Sequence, residues 1–138
     1  MTTLSELEGT SWIGSNELWL DPLGDQVLKS DGTIEIRPRE VRYAWHHQGA
    51  EQRGSLSIDD GHVAFLDSFH SRETMTCRVI GGARGLLQAE GSYGEHGEWG
   101  WRIGLFHRAP TQTLVLQMTN VAPWGEEARA VRMTCTRR

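Results

Sequence analysis

Apolar and polar residues alternate one by one along most of this chain, and that two-residue period constrains the fold more than any other feature. Residues 41–48 show it most clearly, with Val41, Tyr43 and Trp45 on one parity. Turn signals such as Gly81-Gly82 interrupt the alternation about every 8 to 14 residues. Because side chains repeat every 2.0 residues in a strand and every 3.6 in a helix, the pattern predicts an all-β protein of short antiparallel strands.

About ten strands are predicted, preceded by a short helical turn at Leu4 to Glu8 that is too brief to stand without packing. The dipeptide Asp31-Gly32 is favoured in two-residue hairpins and is expected to turn the chain after the first strand. The predicted strands are Ser11 to Leu20, Thr33 to Arg37, Val41 to Gln48, Gly54 to Ile58, His62 to Phe69, Glu73 to Ile80, Gly85 to Tyr93, Trp99 to His107, Thr113 to Val121 and Ala128 to Thr136.

The composition is that of one soluble domain over residues 1–138, with 38% hydrophobic and 23% charged residues. A formal net charge of -4 argues against nucleic acid as a partner. No apolar run approaches the roughly 18 residues of a membrane span, so no membrane partner is expected. The start, MTTLSELEGT, lacks the basic segment and the apolar stretch of a secretory signal, which predicts a cytoplasmic protein.

A meander of ten strands must close into a barrel or fold over into two sheets. Strands about 4.8 Å apart and tilted by about 45° give a barrel roughly 21 Å across, with roughly 10 Å clear between the side chains. The geometry therefore predicts an interior cavity if the strand count is right, and a filled, tapered core if only eight strands form. A two-sheet sandwich is the alternative, although it needs longer crossover connections than these turns provide.

One parity of each strand carries the apolar residues and is expected to face the interior. The other parity carries charges such as Glu35, Arg42 and Arg102, which suits an outer wall in water. The predicted inward positions are Trp12, Leu18, Ile34, Ile36, Val41, Tyr43, Trp45, His47, Leu56, Ile58, Val63, Phe65, Asp67, Met75, Cys77, Val79, Leu87, Ala89, Tyr93, Trp99, Trp101, Ile103, Leu105, His107, Leu114, Leu116, Met118, Asn120, Val131, Met133 and Cys135.

Four of these inward residues are polar and close to a strand end, namely His47, Asp67, His107 and Asn120. They lie either in water at the rims of the barrel or at the polar end of a largely apolar pocket, because a buried polar group needs a partner. The pocket interpretation predicts a small apolar or amphipathic ligand. Its predicted binding residues are Tyr43, Trp45, His47, Trp99, Trp101, His107, Met118 and Asn120.

Asp67 and His70 are weak catalytic candidates, since a carboxylate three residues from a histidine can orient the imidazole if a turn intervenes. Tyr93 or Arg102 would assist in such an enzyme. In an extended strand the two would face opposite ways, and no G-x-S-x-G elbow is present, so a local turn held by Asp67 is the alternative. No metal site is predicted, because it would need His47, His70 and His107 to converge.

The remaining two tryptophans and the two cysteines are expected to be packing residues. Trp19 and Trp124 fall outside the inward set and, if exposed, would mark a contact between two copies in a homodimer. Cys77 and Cys135 lie in apolar alternating segments without CxxC spacing, which predicts reduced, buried thiols.

The opening Leu4-x-x-Leu7-x-Gly9-Thr10-Ser11-Trp12 resembles the start of lipocalin-like (calycin) barrels. In those barrels a helical turn and a glycine lead into a tryptophan at the closed end. Together, Asp67-Ser68-Phe69-His70, Gly91-Ser92-Tyr93, Trp99-Gly100-Trp101-Arg102 and Asn120-Val121-x-Pro123-x-Gly125-Glu126-Glu127 resemble a bacterial family of uncharacterised calycin-like proteins. The resemblance implies an antiparallel up-and-down calycin-like barrel and no particular chemistry.

Two other barrel families share single features with the chain. Trp12-Ile13-Gly14 is similar to the start of nitrobindin-like barrels, which bind haem through a histidine near the C-terminus. Residues 128–138 hold no histidine, so no cofactor is expected. Fatty-acid-binding proteins hold a carboxylate with an arginine and a tyrosine, whereas Arg132-Met133-Thr134 lacks the tyrosine. The predicted function is small-molecule binding; a hydrolase or isomerase-type enzyme using Asp67 and His70, or a dimerising scaffold without ligand, are the alternatives.

Overall fold

The computed structural model describes residues 2–21, 26–81 and 85–138, and it shows one closed barrel of ten antiparallel strands. Each strand pairs with the next along the chain, and β1 pairs with β10 to close the barrel. This confirms the predicted all-β, up-and-down barrel over the sandwich. The strands are β1 (Thr10–Trp19), β2 (Val27–Arg37), β3 (Glu40–His47), β4 (Ala50–Asp59), β5 (His62–Asp67), β6 (Ser71–Val79), β7 (Leu87–Tyr93), β8 (Trp99–Arg108), β9 (Thr113–Val121) and β10 (Glu127–Arg137).

The predicted hairpin turn at Asp31-Gly32 is wrong, because β2 runs straight through it. Gly32 pairs with Gly14 on one side and with Trp45 on the other. A Cβ on Gly32 would come within 3.0 Å of the Met133 side chain, so the glycine gives this methionine room to pack and does not form a turn. The connection from β1 to β2 instead falls between Trp19 and Val27, where residues 22–25 lie outside the described residues. Gly82, predicted in another turn, also lies outside them.

One end of the barrel is closed by the N-terminal segment, a 3-10 turn at Ser5–Leu7 that packs the buried Leu7 against the core. Trp12 lies beneath it, fully buried, and its indole Nε1 donates to the Thr10 hydroxyl at 2.8 Å. That hydroxyl donates in turn to the carbonyl of Leu7 at 2.6 Å. Trp12 therefore lies at the closed end of the barrel.

The opposite end, called the open end below, is formed by the turns that follow β3, β5, β7 and β9 and by the connection after β1. Its rim carries apolar side chains at the surface. Five of the seven large hydrophobic residues that are exposed in the described part of the chain lie there: Leu20, Val27, Leu28, Phe69 and Trp124. This end therefore carries most of the large exposed hydrophobic residues of the described chain.

The predicted inward parity is confirmed along every strand: 24 of the 31 residues are buried, and the other seven are half-buried, namely His47, Ile58, Met75, Val79, Tyr93, Trp99 and His107. The side chains of Trp12, Trp45, Phe65 and Trp101 occupy the interior, where ten strands were expected to leave clear space. Phe65 and Trp101 stack with ring centroids 6.0 Å apart. The estimate of open space assumed side chains of average depth, and indoles reach further than that average.

Trp19 and Trp124 differ from each other, although both were predicted outside the inward set. Trp124 is 66% exposed in the turn between β9 and β10. Trp19 is only 7% exposed, because the guanidinium of Arg129 lies over its ring at 4.6 Å from the centroid. Trp19 is therefore covered by its own chain and offers no contact surface to a second copy.

No helix among the described residues is long and apolar enough to cross a membrane.

Candidate functional site

Eight aromatic and imidazole rings touch one another in an unbroken series across the open end. The series starts on β3 and ends in the turn before β10, and its closest ring centroids are 4.8 Å to 6.5 Å apart. We call it the ring series, and its members are His47, Trp45, Phe69, His70, Trp101, Tyr93, Trp99 and Trp124. Such a surface provides flat apolar area with a few polar atoms at its edge, which is the usual composition of a small-molecule site.

A buried carboxylate, Asp67, connects the ring series to the barrel wall. Tyr43, Gly54 and Asp67 form one row across β3, β4 and β5. Because Gly54 has no side chain, the Tyr43 ring passes over it and the hydroxyl donates to Asp67 Oδ2. A Cβ on Gly54 would lie 2.1 Å from Tyr43 Cζ, so the row requires glycine in the middle.

The other carboxylate oxygen of Asp67 organises the turn that carries His70. Asp67 Oδ1 accepts the backbone N–H groups of Phe69 and His70, each at 2.8 Å. The Nδ1 atom of His70 lies 3.5 Å from the same oxygen, which is longer than an ordinary hydrogen bond. The turn predicted as the alternative is therefore present, and it also brings the carboxylate to the imidazole.

Asp67 is ionised in this setting. Burial by itself raises the pKa of a carboxyl group, but the neighbouring imidazole of His70, the Tyr43 hydroxyl and the backbone N–H of His70 outweigh it. The net effect holds the pKa of Asp67 below its ordinary value of 3.8. Burial, together with the charge and the hydrogen bond of Asp67, raises the pKa of Tyr43 well above 10.0, so Tyr43 stays a hydrogen-bond donor.

The Asp67→Asn variant is expected to be less stable than the wild type by about 1–3 kcal/mol at pH 7. Since the folded-state pKa of Asp67 lies below the unfolded value, its stabilising contribution is complete above that value and is lost as pH falls through the folded pKa. The gap in the free energy of unfolding between the two proteins should therefore narrow below about pH 4. Urea unfolding of both at pH 7, 5 and 3 measures it. A gap that widens at low pH would contradict this account of Asp67.

Four side chains near the open end bury polar atoms that have no hydrogen-bond partner within the described residues. They are the indole Nε1 of Trp45, the indole Nε1 of Trp101, both amide atoms of Asn16, and Nδ1 of His70. Asn16, Trp45 and Trp101 are at most 5% exposed, and each lies two or three residues from the open end of its strand. Unpaired buried groups of this kind cost about 1–3 kcal/mol each, so the open end is the candidate site.

Fewer residues pair between β6 and β7 than between any other neighbouring strands of the described barrel. Only Arg78↔Glu90 and Val79↔Ala89 pair there in the described structure, whereas every other neighbouring pair of strands has at least five register pairs. A groove of about 590 Å³ lies over this seam and reaches Trp101. The groove lies on the outer faces of β6 to β9, whereas the Trp101 indole points into the core.

A second groove, of about 960 Å³, lies on the outer faces of β2 to β5. Three of its four arginines are paired with glutamates on their own strands. Exposed pairs of this kind carry little energy and leave few charges to recognise a ligand. The larger groove is therefore the weaker candidate site.

The structure brings most of the predicted ligand-binding residues together at the open end. Trp45, His47, Trp99 and Trp101 belong to the ring series. Asn120 accepts a hydrogen bond from the Tyr93 hydroxyl beside it, and Tyr43 reaches the site through Asp67. Their role in binding stays a prediction.

Two predicted residues lie elsewhere. His107 is at the closed end, with its ring centroid 5.7 Å from that of Trp12, so it cannot contact a ligand at the open end. Met118 is fully buried in the core. Arg102, proposed to assist catalysis, lies on the outer wall and pairs with Glu127 and Glu90.

Sequence reasoning missed Asn16 and Phe69. Asn16 shares the parity of Trp12 and Leu18, so that alternation could have placed it inside. Phe69 follows the end of β5 in a turn, where strand parity predicts nothing.

His47 and His70 both contact Phe69 at the open end, while His107 is at the other end. Within the described ranges, no three His, Cys, Asp or Glu side chains come close enough to hold a metal ion.

Both cysteines are buried and free, as predicted. Burial raises the pKa of Cys77 and of Cys135 to about 11. Because the thiolate is the reactive form, neither thiol should react with Ellman's reagent within an hour at pH 8 in the native protein, and both should react in guanidinium chloride. Rapid reaction of one thiol in the native state would contradict the burial described above.

No family model matches the chain, and no curated protein is detectably similar to it. The geometry of the open end thus carries the functional interpretation.

Proposed function

We propose that this barrel binds an amphipathic small molecule at its open end. The ligand's flat apolar body packs on the ring series, and its hydrogen-bond-accepting group enters between Trp45 and Trp101. The observation that supports this most directly is the pair of buried indole N–H groups without an acceptor among the described residues.

Donors outnumber acceptors among the unpartnered groups, which favours one chemical class of ligand. The two indoles can only donate, and the Asn16 amide provides two more donor hydrogens against one acceptor oxygen. A carbonyl or carboxylate oxygen on the ligand satisfies these donors, whereas an ammonium group would add donors to a site already rich in them.

The apolar part of the ligand has two surfaces to contact. The ring series supplies aromatic faces inside the mouth, and the exposed apolar rim of the open end extends them outward. A small bicyclic molecule has enough area to bury on such a surface for measurable affinity.

Calorimetric titration with two matched compounds tests the proposal. The ketone 2-tetralone is expected to bind with a dissociation constant on the order of 100 μM. The amine 2-aminotetralin has the same bicyclic skeleton with an ammonium group in place of the carbonyl, and it should bind at least about tenfold more weakly, since it loses the acceptor.

The Trp101→Phe variant is expected to weaken binding of 2-tetralone about five- to tenfold, because it keeps a ring but removes one indole N–H. Trp19→Phe is the matched control, because it removes an indole that lies under Arg129 on the outer wall. The affinity of this variant for 2-tetralone should equal that of the wild type. Equal affinity of the wild type for the ketone and the amine, or an unchanged affinity in Trp101→Phe, would overturn the proposal.

A further inference from the structure

His70 lies between the aromatic rings of the open end and the buried carboxylate of Asp67. Its imidazole is 12% exposed and lies against Phe69, Trp45 and Trp101. Nδ1 faces the carboxylate of Asp67 at 3.5 Å, and this leaves Nε2 as the ring nitrogen available to a ligand. A carboxylate that faces Nδ1 favours the tautomer with the proton on that atom, so Nε2 carries the free electron pair.

The carboxylate behind His70 is itself fixed on every side. Tyr43 donates to one oxygen, and the backbone N–H groups of Phe69 and His70 donate to the other. Asp67 is 1% exposed, so its carboxylate is shielded from solvent. A contact of 3.5 Å can shorten when substrate fills the site, since catalytic hydrogen bonds are often long in ligand-free enzymes.

The base stands between the two unpartnered indoles. The ring centroid of His70 is 5.2 Å from that of Trp101 and 6.0 Å from that of Trp45. A carbonyl group bound at either indole would therefore lie beside the imidazole ring. Donors at the oxygen and a base at the adjacent carbon are the two requirements for forming an enolate.

We propose that the open end catalyses proton transfer at the carbon next to a carbonyl group, with His70 as the general base. The substrate class is an amphipathic ketone with an acidic C–H bond beside the carbonyl. This inference rests on the proposed binding of a carbonyl compound at the same site.

The step balances without a co-reactant. The C–H bond breaks, its proton moves to Nε2 of His70, and its electron pair forms a carbon–carbon double bond as the carbonyl becomes an enolate oxygen. The indole N–H groups of Trp45 and Trp101 stabilise that oxygen. The proton then returns from His70 to the same carbon or to one conjugated with it, and the product is the exchanged or isomerised ketone.

Hydrolysis through a serine is not favoured by the same geometry. Ser68 donates its hydroxyl to Gln52 Oε1 at 2.7 Å, and Ser71 donates to the carbonyl of Glu73 at 2.6 Å. Neither hydroxyl is aligned with His70 as a nucleophile would need to be. Proton transfer needs only the base and the donors that the site contains.

Hydrogen–deuterium exchange of 2-tetralone in deuterated buffer, followed by NMR, measures the activity. The protons between the aromatic ring and the carbonyl should exchange at least about 100-fold faster in the complex than in buffer. His70→Gln should lower the rate in the complex to within about twofold of the buffer rate. His46→Gln, which changes an exposed histidine on the outer wall of β3, should keep the wild-type rate.

Two further variants separate chemistry from folding. His70→Ala should recover exchange when imidazole is added to the solution, which a variant inactive through misfolding would not do. Asp67 is a positioning residue, so Asp67→Asn should lower the exchange rate at saturating 2-tetralone about tenfold or more while the dissociation constant of the ketone stays within about twofold.

The outcomes distinguish this inference from the proposed function. If calorimetry shows binding of 2-tetralone but the bound ketone exchanges at the buffer rate, catalysis is refuted and binding stands. If exchange persists in His70→Gln, His70 is not the base. If 2-tetralone does not bind, both proposals fail.

Discussion

Replacing Gly54 by alanine is expected to lower the free energy of unfolding by about 3–5 kcal/mol. The new Cβ would lie 2.1 Å from both Cζ and Oη of the Tyr43 ring, so the ring must leave its place. The buried hydrogen bond from Tyr43 to Asp67 would then be lost as well, which adds to the cost of overpacking. Urea unfolding monitored by tryptophan fluorescence measures the change.

Gly81→Ala is the matched control for this substitution. No atom of the described residues lies within 4 Å of a Cβ built on Gly81, and its backbone has no left-handed φ. Its stability should stay within about 0.5 kcal/mol of the wild type. If Gly54→Ala is as stable as Gly81→Ala, the row from Tyr43 to Asp67 is not packed as described.

Removing the buried carboxylate by Asp67→Ala is the second large effect, with an expected loss of about 3–5 kcal/mol. It leaves the Tyr43 hydroxyl and two backbone N–H groups without their acceptor. Tyr43→Phe alone should cost about 1–3 kcal/mol, because the carboxylate keeps its other donors. The double variant should cost less than the sum, since each change already breaks the shared hydrogen bond.

Thermal and urea unfolding of the three variants and the wild type complete this double-mutant cycle. Asp60→Ala serves as the comparison, because the Asp60 side chain is fully exposed and makes only a long contact to Arg39. It should change stability by less than about 0.5 kcal/mol. Strictly additive costs for Tyr43→Phe and Asp67→Ala would show that the two side chains do not act as a unit.

The barrel wall could be predicted from the sequence because strand parity is a local property. Alternation alone places Ile103 and Leu105 inside and Arg102 outside, and the structure agrees. The strand count follows in the same way from the turn signals. The role of the glycines was harder to predict. Gly32 and Gly54 make room for side chains of neighbouring strands, Met133 and Tyr43, and neither is there for its backbone conformation.

The sequence could also have shown that His47 and His107 lie at opposite ends of the barrel. His47 and His107 each fall near the C-terminal end of a strand, and those strands, β3 and β8, run in opposite directions. In an up-and-down barrel an odd-numbered and an even-numbered strand finish at opposite ends. The two histidines therefore could not have shared one ligand.

The placement of the turn after β5 could not have been predicted. Phe69 and His70 owe their positions to the two hydrogen bonds that Asp67 accepts from their backbone. Likewise, Trp19 is covered by Arg129 of β10, which depends on the closure of the barrel. Contacts of this kind join residues far apart in sequence, and strand parity says nothing about them.

The most direct test of the central claim is an NMR titration of the six indole N–H signals with 2-tetralone. The account predicts that the signals of Trp45 and Trp101 shift downfield and saturate together, because their N–H groups gain an acceptor, while the signal of Trp19 stays in place. If neither the Trp45 nor the Trp101 signal shifts, or if Trp124 alone responds, the ligand does not reach the buried donors and the proposed site is wrong.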